Sequence, residues 1–271
     1  MQIGNQIFDI ENKTYIMGIL NVTPDSFSDG GRYHFLDRAL YRVEEMVKEG
    51  ADLIDVGGES TRPGHNKISK EEEIDRVLPI LEAIKKNFSV PVSLDTYKSE
   101  VAKVGIKAGV DLINDIWGLE YDDKMAKVIA ESKVACCLMH NRKEAGYSNF
   151  LDDVTSDMVR ITENALKAGI QKDKIMLDPG IGFAKSTSQN LEIIKNLFLI
   201  KNLGYPILLG VSRKSVIGNI LELPIEQRLN GTLAVNIYGC IQGCSFLRVH
   251  DVKEHKEALR MIEAIQMADR R

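Results

Sequence analysis

The chain has 271 residues, 35 Lys and Arg against 39 Asp and Glu (formal net charge −4), 44% hydrophobic and 27% charged residues. That is the make-up of a soluble globular protein with a sizeable core, and the acidic balance argues against nonspecific nucleic-acid binding. No apolar run approaches the roughly 18 residues needed to span a bilayer, and Met1-Gln2-Ile3-Gly4-Asn5 lacks the basic start and apolar centre of a signal peptide, so a cytoplasmic protein without a membrane partner is expected.

Residues 2–12, with Ile3, Ile7, Phe8 and Ile10 around Gly4-Asn5 and Glu11-Asn12, read as a hairpin that plugs one mouth of the structure to follow. Short β-rich runs come next at 15–20, 52–56, 92–95, 111–114, 134–139, 174–177, 207–210 and 245–249. Helical periodicity fills the intervals. Leu36, Ala39, Leu40, Val43, Met46 and Val47 make one stripe, and Ile74, Val77, Leu78, Leu81 and Ile84 another, opened by a capping-box pattern of Ser69 and Glu72. Eight strand-then-helix repeats, with runs apolar enough for burial on both faces, predict an α/β protein, a single (β/α)₈ TIM barrel with an N-terminal β-hairpin over residues 1–271. An open doubly wound sheet is the alternative. Cys136, Cys137, Cys240 and Cys244 have no His partner at ligand spacing and read as small buried hydrophobes.

The residues at or just after the strand ends are Asn21, Asp55, Asp95, Asn114, His140, Asp178, Ser212 to Lys214, Arg248 and His250, all polar. In a barrel these positions converge on the mouth where active sites are built. Two long polar loops leave the first two strands: Asn21-Val22-Thr23-Pro24-Asp25-Ser26-Phe27-Ser28-Asp29-Gly30-Gly31 and Asp55-Val56-Gly57-Gly58-Glu59-Ser60-Thr61-Arg62-Pro63-Gly64. Both are more elaborate than a connection requires.

The first of these loops resembles the first loop of dihydropteroate synthases, the folate-pathway enzymes that join a pterin to p-aminobenzoate. The resemblance continues in order through the second loop, Ser93-Leu94-Asp95-Thr96, Ile113-Asn114-Asp115, Leu177-Asp178-Pro179-Gly180-Ile181-Gly182-Phe183, Gly210-Val211-Ser212-Arg213-Lys214-Ser215 and Arg248-Val249-His250-Asp251-Val252. It departs at Ala184, where a Gly is common, and in the fifth loop, 141–150.

The resemblance implies a pterin site of Asp95, Asn114, Met139, Asp178 and Lys214, in which Asp178 accepts two parallel hydrogen bonds from the guanidine-like ring edge. It implies a diphosphate site of Asn21, Arg62, Arg248 and His250, with Mg²⁺ on Asn21, Asp25 a weaker metal candidate and Lys185 a reserve anion ligand. Phe27, Thr61, Pro63, Phe183 and Ser215 would form the p-aminobenzoate site. Asp95, Asp178, Lys214, Arg248 and His250 would be the catalytic set, and a homodimer through the outer helices is implied. A pterin-dependent methyltransferase barrel would share Asp95, Asn114 and Asp178 but has no use for a diphosphate site. A paralogue that has lost activity would show a damaged set, whereas every matched position is intact.

Overall fold

The computed structural model describes residues 1–23, 32–59 and 67–268. β1 (Gln2–Ile3) and β2 (Gln6–Ile7) pair antiparallel, with Ile3 opposite Gln6. Their turn uses Gly4 at φ +55°, where a Cβ would run into the Asp111 side chain. Strand and helix then alternate: β3 (Tyr15–Asn21), α1 (Arg32–Glu49), β4 (Leu53–Gly57), α2 (Lys70–Asn87), β5 (Val92–Asp95), α3 (Ser99–Lys107), β6 (Leu112–Asp115), α4 (Met125–Ser132), β7 (Ala135–Met139) and α5 (Phe150–Lys167). The second half adds β8 (Ile175–Asp178), α6 (Thr187–Lys195), α7 (Leu197–Lys201), β9 (Leu208–Leu209), α8 (Ser215–Leu221), α9 (Leu229–Ile241), β10 (Phe246–Val249) and α10 (Val252–Gln266).

Among the described residues the eight strands β3 to β10 form one parallel sheet in the order β8-β7-β6-β5-β4-β3-β10-β9, and a bridge between Leu177 and Ile207 joins the two ends. The barrel predicted from sequence is therefore present, and the open sheet is excluded. The predicted strand at 207–210 is reduced to Leu208–Leu209. Pro206 just before it has no N–H for the ladder and serves through its carbonyl, which accepts from the Leu177 N–H at 2.9 Å.

Two apolar layers follow from the period-2 alternation of strands. Ile16, Ile54, Val56, Val92, Leu94, Ile113 and Leu138 pack outward against helix residues such as Ala39, Val43, Met46, Val77, Leu81 and Ile84. Val47, at the margin of the α1 stripe, is 36% exposed. At α2 only half of the expected capping box forms: Ser69 Oγ accepts from Glu72 N–H at 3.1 Å, while the Glu72 carboxylate takes Arg76. The complete box is at α6, between Ser186 and Gln189.

Met17, Leu53, Leu112, Ala135, Cys137, Met176, Leu208 and Phe246 point inward at the N-terminal ends of their strands and pack on Ile3 and Phe8. The hairpin thus plugs the barrel floor, except that Ile7 faces solvent, since pairing across β1 and β2 sends it to the outer side of the ribbon. Phe8 meets Tyr15 edge-on at 4.8 Å and Phe246 at 5.4 Å between ring centroids. Phe8→Ala should destabilise the protein by about 3–5 kcal/mol through the cavity it leaves, read as a lower denaturant midpoint at unchanged slope.

Candidate active site

The alternation that makes the floor apolar makes the opposite mouth polar. Two residues beyond Leu53 on β4 comes Asp55; beyond Leu112, Met176 and Phe246 come Asn114, Asp178 and Arg248. Sheet register lines them up: Asn21 pairs with Gly57, Gly57 with Asp95, and Asp95 with Asn114. A cavity of about 450 Å³ opens at the other end of the barrel, beside Asn12, Lys13, Tyr205 and Cys240, and collects none of these side chains.

One wall is an ion network. Arg248 Nε donates to Asp55 Oδ2 at 2.6 Å and its Nη2 to Asp95 Oδ2 at 2.7 Å. Asp55 is fully buried and also accepts Ser93 Oγ–H at 2.5 Å and Asn114 Nδ2–H at 3.2 Å. Burial works against the Arg248 charge, but the two carboxylates outweigh it and hold the guanidinium protonated. Burial pushes the Asp95 carboxyl up to about 7, against the attraction of Arg248. Asp95 Oδ1 is buried with no hydrogen-bond partner among the described residues, which leaves it as an acceptor for a donor beyond them.

The facing wall is built from β8 and the segment after β9. Asp178 Oδ1 accepts the Gly180 N–H at 2.7 Å, and burial raises its pKa against the pull of Lys214. Lys214, lowered to about 8 by burial in spite of Asp178, donates to the Ile181 carbonyl at 2.6 Å and lies 4.7 Å from the Phe183 ring centroid. Gly210 keeps this corner open, since a Cβ there would stand 3.2 Å from Asp178 Oδ2 and 3.9 Å from Lys214 Nζ. Met139 joins Tyr97, Ile116, Trp117 and Phe183 in a small apolar group between the walls. His250 sits at the β10 end, its Nδ1 2.9 Å from Ser212 Oγ, and Ser215 is exposed at the start of α8.

An amide, paired carboxylates, a lysine and an apolar face, arranged around one mouth with cations beside them, form a site for a planar polar heterocycle carrying an anionic group. Comparison with known proteins gives the same direction. The profile of the pterin binding enzyme family matches residues 17–250. The chain belongs to the pterin-binding enzyme family. It is 54% identical to the dihydropteroate synthase of Clostridium beijerinckii, covering 98% of this chain and 99% of that one, and 50% identical to that of Bacillus subtilis, covering 94% and 90%. Among solved structures it is similar to a Clostridium difficile dihydropteroate synthase determined with pteroic acid (TM-score 0.93, 47% identity, 96% and 99% covered). A Xanthomonas albilineans dihydropteroate synthase with 4-aminobenzoic acid also matches (0.90, 38%, 94% and 94%).

Within this pterin-binding barrel the structure brings Asn21, Asp95, Asn114, Met139, Asp178, Phe183, Lys214, Ser215, Arg248 and His250 to the C-terminal mouth. The candidates Asp25, Phe27, Thr61, Arg62 and Pro63 lie outside the described residues. Ala184 adopts φ +45°, a conformation glycine takes without strain, which accounts for the glycine common there. Sequence reasoning assigned no role to Asp55, which turns out to join Arg248, Ser93 and Asn114. Lys185, the reserve anion ligand, instead directs Nζ to the Gly180 and Phe183 carbonyls at 3.0 and 3.1 Å. No cage of three or more His, Cys, Asp or Glu side chains exists among the described residues. Asn21 Oδ1, within 3.9 Å of the position a Cβ on Gly57 would take, offers one neutral oxygen at the mouth. That donor set fits a magnesium ion held mainly by substrate phosphates and water, which needs few protein ligands.

Because the folded-state pKa of Asp95 is raised, its ionised form weakens the folded protein at pH above about 7, and that penalty fades as pH falls toward the unfolded value near 4. Asp95→Asn should therefore flatten the fall in melting temperature of the ligand-free protein between about pH 5 and pH 8, measured by calorimetric or fluorescence melts.

Proposed function

We propose that the chain is a dihydropteroate synthase. It condenses 6-hydroxymethyl-7,8-dihydropterin diphosphate with p-aminobenzoate, giving 7,8-dihydropteroate and diphosphate in folate biosynthesis, as one barrel domain over 1–271 in the cytoplasm. The observation that carries this reading is the division of the mouth: buried acceptors on the pterin side, including Asp95 Oδ1, which has no partner among the described residues, and Arg248 with His250 at the end of β10. The relatives bear the same enzyme name, and two solved neighbours were determined with pteroic acid and 4-aminobenzoic acid.

In this assignment Asp178 receives the amino group and ring N–H of the pterin, Asn114 and Asp95 take other ring nitrogens, Lys214 donates to a ring acceptor, and Met139 packs on the ring face. The Arg248 ion pairs use Nε and Nη2 and do not use Nη1, which we assign to the diphosphate together with His250, Asn21 and Arg62. Phe27, Thr61, Pro63, Phe183 and Ser215 hold p-aminobenzoate over the methylene.

The methylene C–O bond breaks with its electron pair leaving on diphosphate, the electron-rich pterin spreads the positive charge, and the amine lone pair forms the C–N bond as the amine loses a proton. Asp95 and Asp178 stabilise the cation electrostatically, and holding amine and methylene together removes the entropic cost of their encounter. Asn21 would hold a magnesium ion, which would supply charge neutralisation of the leaving diphosphate. A homodimer is proposed through α8 to α10, which leave Ile220, Leu221, Ile241, Met261 and Ile265 facing outward.

Mixing the protein with p-aminobenzoate, pterin diphosphate and magnesium tests the reading. Dihydropteroate and diphosphate should appear in equal amounts only when both substrates are present, with loss of rate on chelation. Binding of both without turnover would overturn it. Asp178→Asn should weaken hydroxymethylpterin binding by about 2–5 kcal/mol, since an amide turns a donor toward donors, as read by calorimetric titration.

A further inference from the structure

We propose that Asp157, His140 and Lys185 form a positioning relay that fixes the segment from Asp178 to Phe183, so that one buried lysine sets both the pterin carboxylate and the aromatic wall of the second substrate. The proposal deepens the dihydropteroate synthase reading and rests on it.

His140 follows the last residue of β7 and is fully buried. Its Nε2 lies 3.1 Å from Asp157 Oδ2 on α5, and its Nδ1 lies 2.8 Å from Lys185 Nζ. An ionised carboxylate only accepts, so Nε2 carries the ring hydrogen and the Nδ1 of the neutral ring accepts from Lys185; burial lowers Lys185 to about 7, and three facing acceptors favour its charged form. A neutral imidazole is what this bridge requires. Burial, and then the neighbouring Lys185, hold His140 down to about 3. Asp157 is lowered to about 2: burial opposes ionisation, but hydrogen bonds from Arg142, Arg160 and His140 outweigh it.

The three hydrogens of Lys185 are matched by three acceptors: His140 Nδ1, the Gly180 carbonyl and the Phe183 carbonyl. The backbone they grip has no sheet or helix to satisfy it. Side chains do so instead: Lys214 donates to the Ile181 carbonyl, Tyr147 Oη–H to the Ala184 carbonyl at 3.0 Å, and the Gly182 N–H finds Asn190 Oδ1 at 2.7 Å. Gly180 sits at φ +70°, and a Cβ there would run into the His140 carbonyl oxygen, so this turn is held against β7 while its N–H orients Asp178 Oδ1. Displacing Lys185 would deprive the Gly180 and Phe183 carbonyls of a shared donor and loosen this part of the turn.

The amide oxygen of an asparagine can take the place of Nδ1. His140→Asn keeps the acceptor for Lys185 and gives up the link to Asp157, whereas His140→Leu gives up both. Calorimetric titration of the full-length variants with 6-hydroxymethylpterin should show a loss of about tenfold or more for His140→Leu, about 1.4 kcal/mol, with the KM for p-aminobenzoate rising alongside. His140→Asn should fall between wild type and His140→Leu in both, since it keeps the acceptor for Lys185 and loses the hold of Asp157. If His140→Leu does not fold, Lys185→Met takes its place, and adding Asp157→Asn to it should produce no further loss.

Equal losses for His140→Asn and His140→Leu, or a His140→Asn variant equal to wild type, would overturn the relay, as would additive losses, or a lower melting temperature with affinity and KM unchanged. Wild-type protein that binds the pterin but never turns over would instead remove the underlying enzyme assignment.

Discussion

The arrangement of the mouth depends on one buried cation. Asp55, Asp95 and Asp178 are all at least 95% removed from solvent, and three desolvated carboxylates in one barrel would repel one another and take up protons. Arg248 answers two of them with separate nitrogens. Its own burial is compensated by that pairing, and the guanidinium stays charged. Asp55 has no exposed surface and is used entirely within the chain, between Ser93, Asn114 and Arg248. It is better described as the residue that positions Asn114 and Arg248 than as a ligand residue. Arg248 is consequently shared: it faces the proposed anion and also holds Asp95, so the two ends of the site are mechanically and electrostatically joined.

Strand periodicity decides which side of the sheet each of these residues faces. Inward residues along β4, β6, β8 and β10 run Leu53 to Asp55, Leu112 to Asn114, Met176 to Asp178, and Phe246 to Arg248. A shift of one residue in any of these strands would send the polar residue into the helix layer and an apolar one into the mouth. The apolar floor, closed by Ile3 and Phe8, therefore does more than stabilise the barrel: it resists the register slip that would dismantle the site.

That logic explains what was legible in the sequence. Strand ends read to within one residue because alternation and turn residues are local signals, and the polar ends of eight strands had one place to converge. The role of Asp55 was hidden because its partners lie 193 and 59 positions away. Lys185 looked like an anion ligand because its partners, two backbone carbonyls and an imidazole, leave no trace in composition. The fifth loop, 141–150, matched no motif, yet Arg142 binds Asp157 at 2.6 Å and Tyr147 reaches the Ala184 carbonyl. Its contribution is made by shape and hydrogen bonding against β8's loop, which the identity of single residues does not announce.

Two walls of opposite character meet at the mouth. On the β5 side, Asp95 retains an acceptor with no donor among the described residues and a pKa raised by burial. On the β8 side, every polar group of the 180–184 turn named above is matched by a lysine, a tyrosine, an asparagine or Asp178. An unmet buried acceptor weakens the empty protein, and the surrounding structure has to carry that deficit. The turn next to Asp178 is over-determined for the same reason that Asp95 is left short: a donor-rich ring binds well only if the acceptors are already in place and still unsatisfied. Rigidity on one wall and an open acceptor on the other are two parts of one requirement, and the charge of Arg248 allows both to persist in the same barrel.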